Sequence, residues 1–175
     1  DTSTAVASVA LYDGSMAGEC TWLARQDHTR QLMAQVAGLL HARSLLPQDL
    51  TGIGIALGPG SFNGLRVGLS AAKALAFSLR LPISGLSTLE AMAYQHSHQP
   101  LPVRALLDAG RGQAATALYE RESGRWVEKE TPHLVDPPDL AHLVQRPTLL
   151  VGEWRQGWLE KLLEVRGVLV QVPSA

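Results

Sequence analysis

The residues best suited to chemistry lie in one glycine-rich stretch, residues 58 to 68, which reads Gly-Pro-Gly-Ser-Phe-Asn-Gly-Leu-Arg-Val-Gly. The apolar run 53–57 before it predicts a buried strand, and residues 65–79 after it predict a helix. Turns that join a strand to a helix let backbone N–H groups approach an anion at the positive end of the helix dipole. We define the glycine turn by its candidate site residues: Gly58, Gly60, Ser61, Gly64 and Arg66.

The spacing within the glycine turn does not match the well-known phosphate loops. Its glycines do not form G-x-G-x-x-G, and no lysine follows Gly64 as a P-loop requires. Gly60 directly precedes Ser61, so the G-x-S-x-G elbow of serine hydrolases is missing as well. Two interpretations stay open: a structural turn, in which glycine permits positive φ or close backbone approach, and a loop that binds an anion or substrate.

The stretch resembles the signature of the TsaB (YeaZ) family, G-P-G-S-F-T-G-hydrophobic-R, with Asn63 in place of the usual threonine. Three other segments resemble the family more loosely. They are Asp1-Thr-Ser-Thr with the following Ala7-Ser-Val-Ala-Leu, His28-Thr29, and Leu107-Asp-Ala-Gly-Arg-Gly112.

This resemblance implies a bacterial, cytoplasmic protein of the ASKHA fold, the superfold of actin, sugar kinases and Hsp70. It implies a non-catalytic partner of a TsaD-like subunit, which transfers threonylcarbamoyl to adenosine of tRNA. A TsaE-like ATPase would join through the complex, tRNA would be met only indirectly, and the chain would form a homodimer in isolation.

The order of predicted elements repeats along the chain. Strands are predicted at 5–12, 18–24, 53–57 and 83–86, and helices at 28–42 (capped by Asp27), 65–79 and 88–95. After a linker at 96–102, strands are predicted at 103–108, 113–120, 125–130, 148–151 and 168–172, and helices at 137–144 and 154–164. Such a repeat is what two ribonuclease-H-like halves would give, an N-terminal half at 1–98 and an incomplete C-terminal half at 99–175.

Both ends of the sequence look cut. It starts at Asp1 without methionine, and the first strand, which should carry Asp1 at its end, is missing from the expected order. It stops directly after a strand-like run at 168–172. We therefore expect truncation at both ends.

Asp1 and Asp108 occupy equivalent places in the two halves, each at the end of a first strand. ASKHA ATPases need an acidic residue and glycine-rich hairpins around the phosphates, and the segment 108–112 is similar to such a hairpin. No lysine or further carboxylate is placed to hold Mg²⁺. We expect a degenerate nucleotide site at Asp1 and Asp108 and no cofactor, although weak or partner-completed contact with ATP or ADP stays open.

The six histidines do not predict a metal site. A zinc protease places two histidines on one helix face, as in H-E-x-x-H. His28 and His41 are thirteen residues apart, and His96 and His98 lie in the predicted linker. We expect surface or capping histidines and no catalytic residues.

The two long helices predict a protein interface. Leu65, Leu69, Ala72, Leu75, Ala76 and Leu79 form one apolar face of the second helix, expected to pack on the sheet. The opposite face is small and uncharged, where a solvent-facing helix is normally polar, and the first helix shows the same pattern. The candidate interface residues are Arg30, Ala34, Gly38, Val67, Ser70, Ala71 and Ala74. Internal packing of the two helices against each other is the alternative.

Composition fits this interpretation. Charged residues are 18% and the net charge is −1, which argues against strong nucleic-acid binding by the chain itself. The single cysteine, Cys20, suits a reducing cytoplasm, and no apolar window predicts a membrane span. The alternative functions are a small nucleotide-dependent phosphotransferase of the ASKHA type and a glycoprotease-like hydrolase.

Overall fold

The computed structural model describes residues 1–24, 28–153, 157–158 and 168–170. The fold is mixed α/β, in two compact units, Asp1–Leu86 (unit 1) and Ser87–Ala175 (unit 2). The boundary falls twelve residues before the position expected from the sequence, so the helix α3, Thr88–Tyr94, belongs to unit 2.

Unit 1 contains two pairs of strands and two long helices. Its elements are β1 (Val6–Tyr12), β2 (Met16–Leu23), α1 (His28–Ala42), a 3-10 turn (Pro47–Asp49), β3 (Ile53–Ala56), α2 (Phe62–Leu79) and β4 (Ile83–Leu86). β1 and β2 form an antiparallel hairpin, while β3 and β4 are parallel and joined by α2. Among the described residues these are two separate two-stranded sheets.

Helix α2 differs from its prediction in two respects. It begins at Phe62, three residues earlier, because the Ser61 side chain caps the helix by accepting a hydrogen bond from the Gly64 N–H. Its buried residues are small ones four apart, Gly64, Gly68, Ala72 and Ala76, whereas the predicted leucines only flank this line. The helix therefore approaches its neighbours through backbone and methyl groups.

Unit 2 contains one five-stranded sheet. Its further elements are β5 (Val103–Gly110), β6 (Gln113–Glu122), β7 (Arg125–Val135), a 3-10 turn (Pro137–Asp139), α4 (Leu140–Leu143), β8 (Thr148–Gly152) and β9 (Val168–Val170). The strand order is β7-β6-β5-β8-β9, antiparallel from β5 to β7 and parallel from β5 to β9.

Both faces of this sheet are covered. On one face Leu89 and Ala93 of α3 pack against Val103, Ala105 and Leu107 of β5. On the other face the buried cluster contains Leu106, Ala114, Leu140, Val144, Leu150 and Trp158. β5, with neighbours on both edges and both faces, is the centre of the unit 2 core.

One charged side chain, that of Arg104, is buried among the described residues of unit 2. Arg104 of β5 is only 1% exposed and donates two hydrogen bonds, of 2.9 and 2.7 Å, to the two carboxylate oxygens of Glu130. It also donates to the Leu143 carbonyl oxygen. These bonds hold the pKa of the Glu130 carboxyl below its usual value. The bidentate pair joins β5 to β7 across β6.

Two elements of unit 2 differ from their predictions. β7 continues through Pro132 to Val135 instead of ending at Glu130. Proline is tolerated there because β7 is an edge strand and its register with β6 is irregular beside Leu118. The predicted helix 137–144 is a 3-10 turn followed by the four-residue α4.

Three predictions lie outside the described residues. They are the Asp27 cap, most of the helix 154–164, of which residues 157 and 158 are helical, and the end of the last strand at 171–172.

Candidate functional site

The glycine turn packs against the segment 1–4, whose residues Thr2, Ser3 and Thr4 are buried. The Ser61 N–H donates a 2.6 Å hydrogen bond to the Ser3 carbonyl oxygen, and the Thr2 hydroxyl donates a 2.8 Å bond to the Gly64 carbonyl oxygen. These contacts fix the start of α2 to the segment that precedes β1.

The glycines at 58, 60 and 64 allow this packing for two reasons: an unusual backbone conformation at the first and close backbone approach at the other two. Gly58 has φ +111°, which side chains rarely adopt. A Cβ at Gly60 would overlap the Ser3 carbonyl oxygen, and a Cβ at Gly64 would overlap that of Thr2. Glycine is therefore required for close backbone approach at positions 60 and 64.

Three of the backbone donors near the start of α2 have partners. Ser61 N–H bonds to Ser3, Gly64 N–H to the Ser61 hydroxyl, and Leu65 N–H to the Ser61 carbonyl oxygen. An anion that used these three donors would have to displace these bonds. The geometry thus favours a structural turn over an anion loop. Arg66 is exposed, and its guanidinium lies 5.3 Å from the centre of the Phe62 ring.

Asp1 and Asp108, the predicted nucleotide-site residues, form the same local turn in their respective units. The Asp1 carboxylate accepts a 2.7 Å hydrogen bond from the Ser3 N–H. The Asp108 carboxylate accepts a 2.8 Å bond from the Gly110 N–H. Each aspartate therefore stabilises its turn through an i to i+2 bond. Nucleotide contact at either residue stays a prediction.

The candidate interface residues are mostly on the surface of unit 1. Arg30, Ala34, Gly38, Ser70 and Ala74 are exposed, while Val67 and Ala71 are half-buried. We call these seven residues the α1–α2 face. α1 and α2 also contact each other. The alternative interpretation, that the two helices pack against each other inside the unit, is therefore correct for part of their surface.

Two exposed aromatic residues on α2 were missed by sequence reasoning. Phe77 is 89% exposed and Phe62 is 72% exposed. Phe77 follows Ala74 by three residues and so lies on the same side of the helix. This spacing is the signal that could have added it to the candidate interface. Arg66, Lys73 and Arg80 of the same helix are exposed as well.

The histidine side chains do not form a cluster among the described residues. The side chains of His41, His98, His133 and His142 are exposed. His96 is half-buried, and its pKa is lowered by burial and by the neighbouring His98. No three histidine, cysteine or acidic side chains gather closely enough to hold a metal ion in the part of the chain that the structure describes. No described helix has the length and apolar character needed to cross a membrane.

The sequence is similar to a known protein family and to individual members of it. The family model "TsaD: tRNA N6-adenosine threonylcarbamoyltransferase" matches residues 20–143. The chain is 36% identical over 157 residues to the tRNA threonylcarbamoyladenosine biosynthesis protein TsaB of Bacillus subtilis. The aligned region covers 87% of this chain and 68% of that protein. It is 33% identical over 157 residues to the Escherichia coli TsaB, covering 88% of this chain and 67% of that protein.

A solved structure shows the same fold. YeaZ from Pseudomonas aeruginosa superimposes with a TM-score of 0.81 at 23% identity, covering 97% of this chain and 80% of that one. The resemblance carried by the glycine turn is thereby confirmed over most of the sequence. This chain belongs to the TsaB (YeaZ) family.

Proposed function

We propose that this chain is a non-catalytic subunit in the synthesis of threonylcarbamoyladenosine on tRNA, and that it binds a TsaD-type threonylcarbamoyltransferase through the α1–α2 face. The observation that carries the proposal is the surface of α2. Phe77, at 89% exposure, stands beside the exposed small residues Ser70 and Ala74. An aromatic side chain surrounded by small residues suits the core of a protein interface.

The fold of each unit supports the same assignment. In unit 2 the central strand β5 has an antiparallel neighbour on one side and a parallel neighbour on the other, which supports this interpretation. We infer two such halves of an ASKHA fold, as the family resemblance implies.

The candidate groups already have structural roles, which supports a subunit without catalytic activity. The Ser61 hydroxyl caps α2, and the carboxylates of Asp1 and Asp108 stabilise turns. Neither alternative, phosphotransferase or hydrolase, gains a supporting observation among the described residues. The chain is therefore proposed to require no cofactor of its own, with nucleotide contact at most weak or completed by the partner.

The remaining partners follow from this role. A TsaE-like ATPase would join through the complex, and tRNA would contact this chain only indirectly. In isolation the α1–α2 face would pair with a second copy, because the same exposed residues are available to both partners. A cytoplasmic location fits this role.

The proposal is tested by titrating a TsaD-type subunit with purified variants of this chain in a calorimeter. Ala74→Arg places a charge on the α1–α2 face and should weaken binding by about two to three and a half decades, since an uncompensated buried charge costs ~3–5 kcal/mol. Ala74 is exposed and arginine is a good helix former, so the variant should keep its parental melting temperature.

Two further variants make the outcome specific. Phe77→Ala removes the most exposed aromatic side chain and should also weaken binding without loss of stability. Thr131→Arg adds the same charge at an exposed position of β7 in unit 2 and should bind like the parent. Parental affinity in both α2 variants would show that the interface lies elsewhere.

A further inference from the structure

The exposed surface of α1 and α2 carries positive charge without negative charge. Arg30 of α1 is exposed, as are Arg66 and Lys73 of α2 and Arg80 directly after it. Neither helix contains an aspartate or a glutamate. The carboxylates in the described part of unit 1 lie outside both helices, at Asp1, Asp13, Glu19 and Asp49. The surface around the α1–α2 face is therefore cationic, although the whole chain has a net charge of −1.

These cations have no carboxylate partner among the described residues. Every ion pair found in the described part of the chain lies in unit 2. The Arg66 guanidinium lies over the Phe62 ring, 5.3 Å from its centre, instead of beside a carboxylate. Arginine and lysine make their strongest hydrogen bonds to carboxylates and phosphates. The charges of α1 and α2 are therefore available to an anionic group of another molecule.

On α2 the cations form one line beside the most exposed aromatic side chain. Arg66 and Lys73 are seven residues apart, which is close to two helical turns, and Arg80 continues the same spacing. We call these three residues the cationic stripe. Phe77 follows Lys73 by four residues, so the two side chains are neighbours on the helix surface. A molecule that packs on Phe77 therefore also meets the cationic stripe.

A second copy of this chain matches this surface poorly. A two-fold interface places the same patch of both copies against each other. The cations of one copy would then face those of the other, with no carboxylate on α1 or α2 to separate them. Like charges that meet across an interface lower the affinity. Self-association through the α1–α2 face is therefore opposed by electrostatic repulsion.

The residues around the cationic stripe suit a protein better than RNA. Nucleic-acid-binding domains are usually basic as a whole, whereas this chain has a net charge of −1. Arginine and exposed aromatic residues are enriched in protein interfaces. The small exposed residues Ser70 and Ala74 also leave room for the close approach of another helix. These features favour an acidic protein surface as the occupant.

We propose that the cationic stripe binds carboxylates on the facing surface of the TsaD-type subunit, and that this charge pairing makes the α1–α2 face prefer that subunit to a second copy. The inference rests on the proposed function, since it takes the α1–α2 face as the binding surface. Salt screens such charges, because the Debye length falls from about 30 Å at 0.01 M to about 10 Å at 0.1 M. Raising the salt concentration should therefore weaken the complex and strengthen self-association.

The test measures two dissociation constants of the whole 175-residue chain at about 20 and about 300 mM NaCl. Calorimetry gives the affinity for the TsaD-type subunit, and sedimentation equilibrium gives the affinity of self-association. The higher salt concentration should weaken the first at least about fivefold and strengthen the second at least about threefold, because attraction and repulsion are both screened.

A charge reversal on the cationic stripe makes the test specific. Lys73→Glu should weaken binding of the TsaD-type subunit at least about tenfold at low salt and tighten self-association, because each copy then offers a carboxylate to the other. Lys73 is exposed, so the variant should keep the parental melting temperature. Arg125→Glu makes the same change at an exposed position of β7 in unit 2 and should leave both constants unchanged.

Equal binding of the TsaD-type subunit by the parent and Lys73→Glu would overturn the inference, as would self-association that salt does not strengthen. It would also be overturned if the parent bound tRNA in a gel-shift assay and Lys73→Glu lost only that binding. Ala74→Arg separates this failure from failure of the proposed function. If Ala74→Arg loses binding and Lys73→Glu keeps it, the charge pairing alone is wrong. If the parent does not bind the TsaD-type subunit at either salt concentration, both proposals are wrong.

Discussion

Unit 1 and unit 2 pair and bury their strands very differently: among the described residues unit 1 has two separate two-stranded sheets and unit 2 has one five-stranded sheet. In unit 2 residues 103–107 of β5 are all buried, with apolar clusters on both faces of the sheet. In unit 1 all four residues of β4 are exposed, and the side chain of Phe77 on α2 is exposed to solvent. Unit 2 is therefore stabilised by its own core, whereas unit 1 leaves more of its apolar surface exposed.

The contacts that stabilise unit 1 internally also differ in kind from those that stabilise unit 2. Unit 1 depends on backbone approach between the glycine turn and residues 2–3, where side chains would not fit. Unit 2 depends on large side chains and on the Arg104–Glu130 pair. Substitutions that add atoms should therefore damage unit 1 most, and substitutions that remove charge partners should damage unit 2.

The largest effect is expected for Gly60→Val. The new side chain would overlap the Ser3 carbonyl oxygen, so the free energy of unfolding should fall by more than about 4 kcal/mol. Hydrogen exchange should show the loss in unit 1 first, and binding of a TsaD-type subunit should weaken with it. Gly38→Ala is the control, because a Cβ there meets nothing within 4 Å and should stabilise α1 by about 0.5–1 kcal/mol. Parental stability of Gly60→Val would show that the turn has room to spare.

A smaller effect, in the other unit, is expected for Glu130→Ala. It leaves the Arg104 guanidinium, only 1% exposed, without its carboxylate partner. Breaking a buried pair costs ~3–5 kcal/mol, and the 36% exposure of Glu130 places this variant at about the lower limit. Urea unfolding measures the loss, with Lys129→Ala as the exposed control. If both variants unfold at the same urea concentration, the buried pair is not what holds β7 to β5.

The smallest effect is a pH dependence of unit 2. Arg104 lowers the pKa of Glu130 in the folded state, so the carboxylate contributes stability that is fully present above its unfolded pKa, about 4.5. This contribution should be lost as the pH falls below that value through the lower folded pKa. Glu130→Gln cannot titrate, so its stability should decline less steeply between neutral and acidic pH. Parallel curves for parent and variant would assign the acid sensitivity to other groups.

Several elements could be predicted from the sequence because local pattern determines them. The bounds of α1 and β4 were predicted to the residue, since apolar periodicity and flanking turn residues mark their ends. The start of α2 was placed too late because Gly64 was assigned to the glycine turn that precedes the helix. In the structure Ser61 caps the helix and Thr2 packs against that glycine, and neither contact is visible in a local pattern.

The candidate site was less accessible to sequence reasoning. The small residues of the α1–α2 face follow from helical periodicity, but the exposure of Phe77 depends on which side of α2 packs. The predicted core face included Ala72 and Ala76, which are buried, together with leucines that are half-buried, but it left out the buried Gly64 and Gly68. Close packing through small residues is a tertiary effect, so hydrophobicity alone does not identify the buried glycines of this face.

The most direct test of the central claim is a reconstituted tRNA modification reaction. Threonylcarbamoyladenosine formation would be measured with a TsaD-type subunit alone, with this chain alone, and with both, in the presence of a TsaE-like ATPase and the activated threonylcarbamoyl donor. We expect modification only when both subunits are present, and loss of this stimulation with Ala74→Arg. Catalysis by this chain alone, abolished by Asp108→Asn, would contradict the account, as would full modification by the TsaD-type subunit without it.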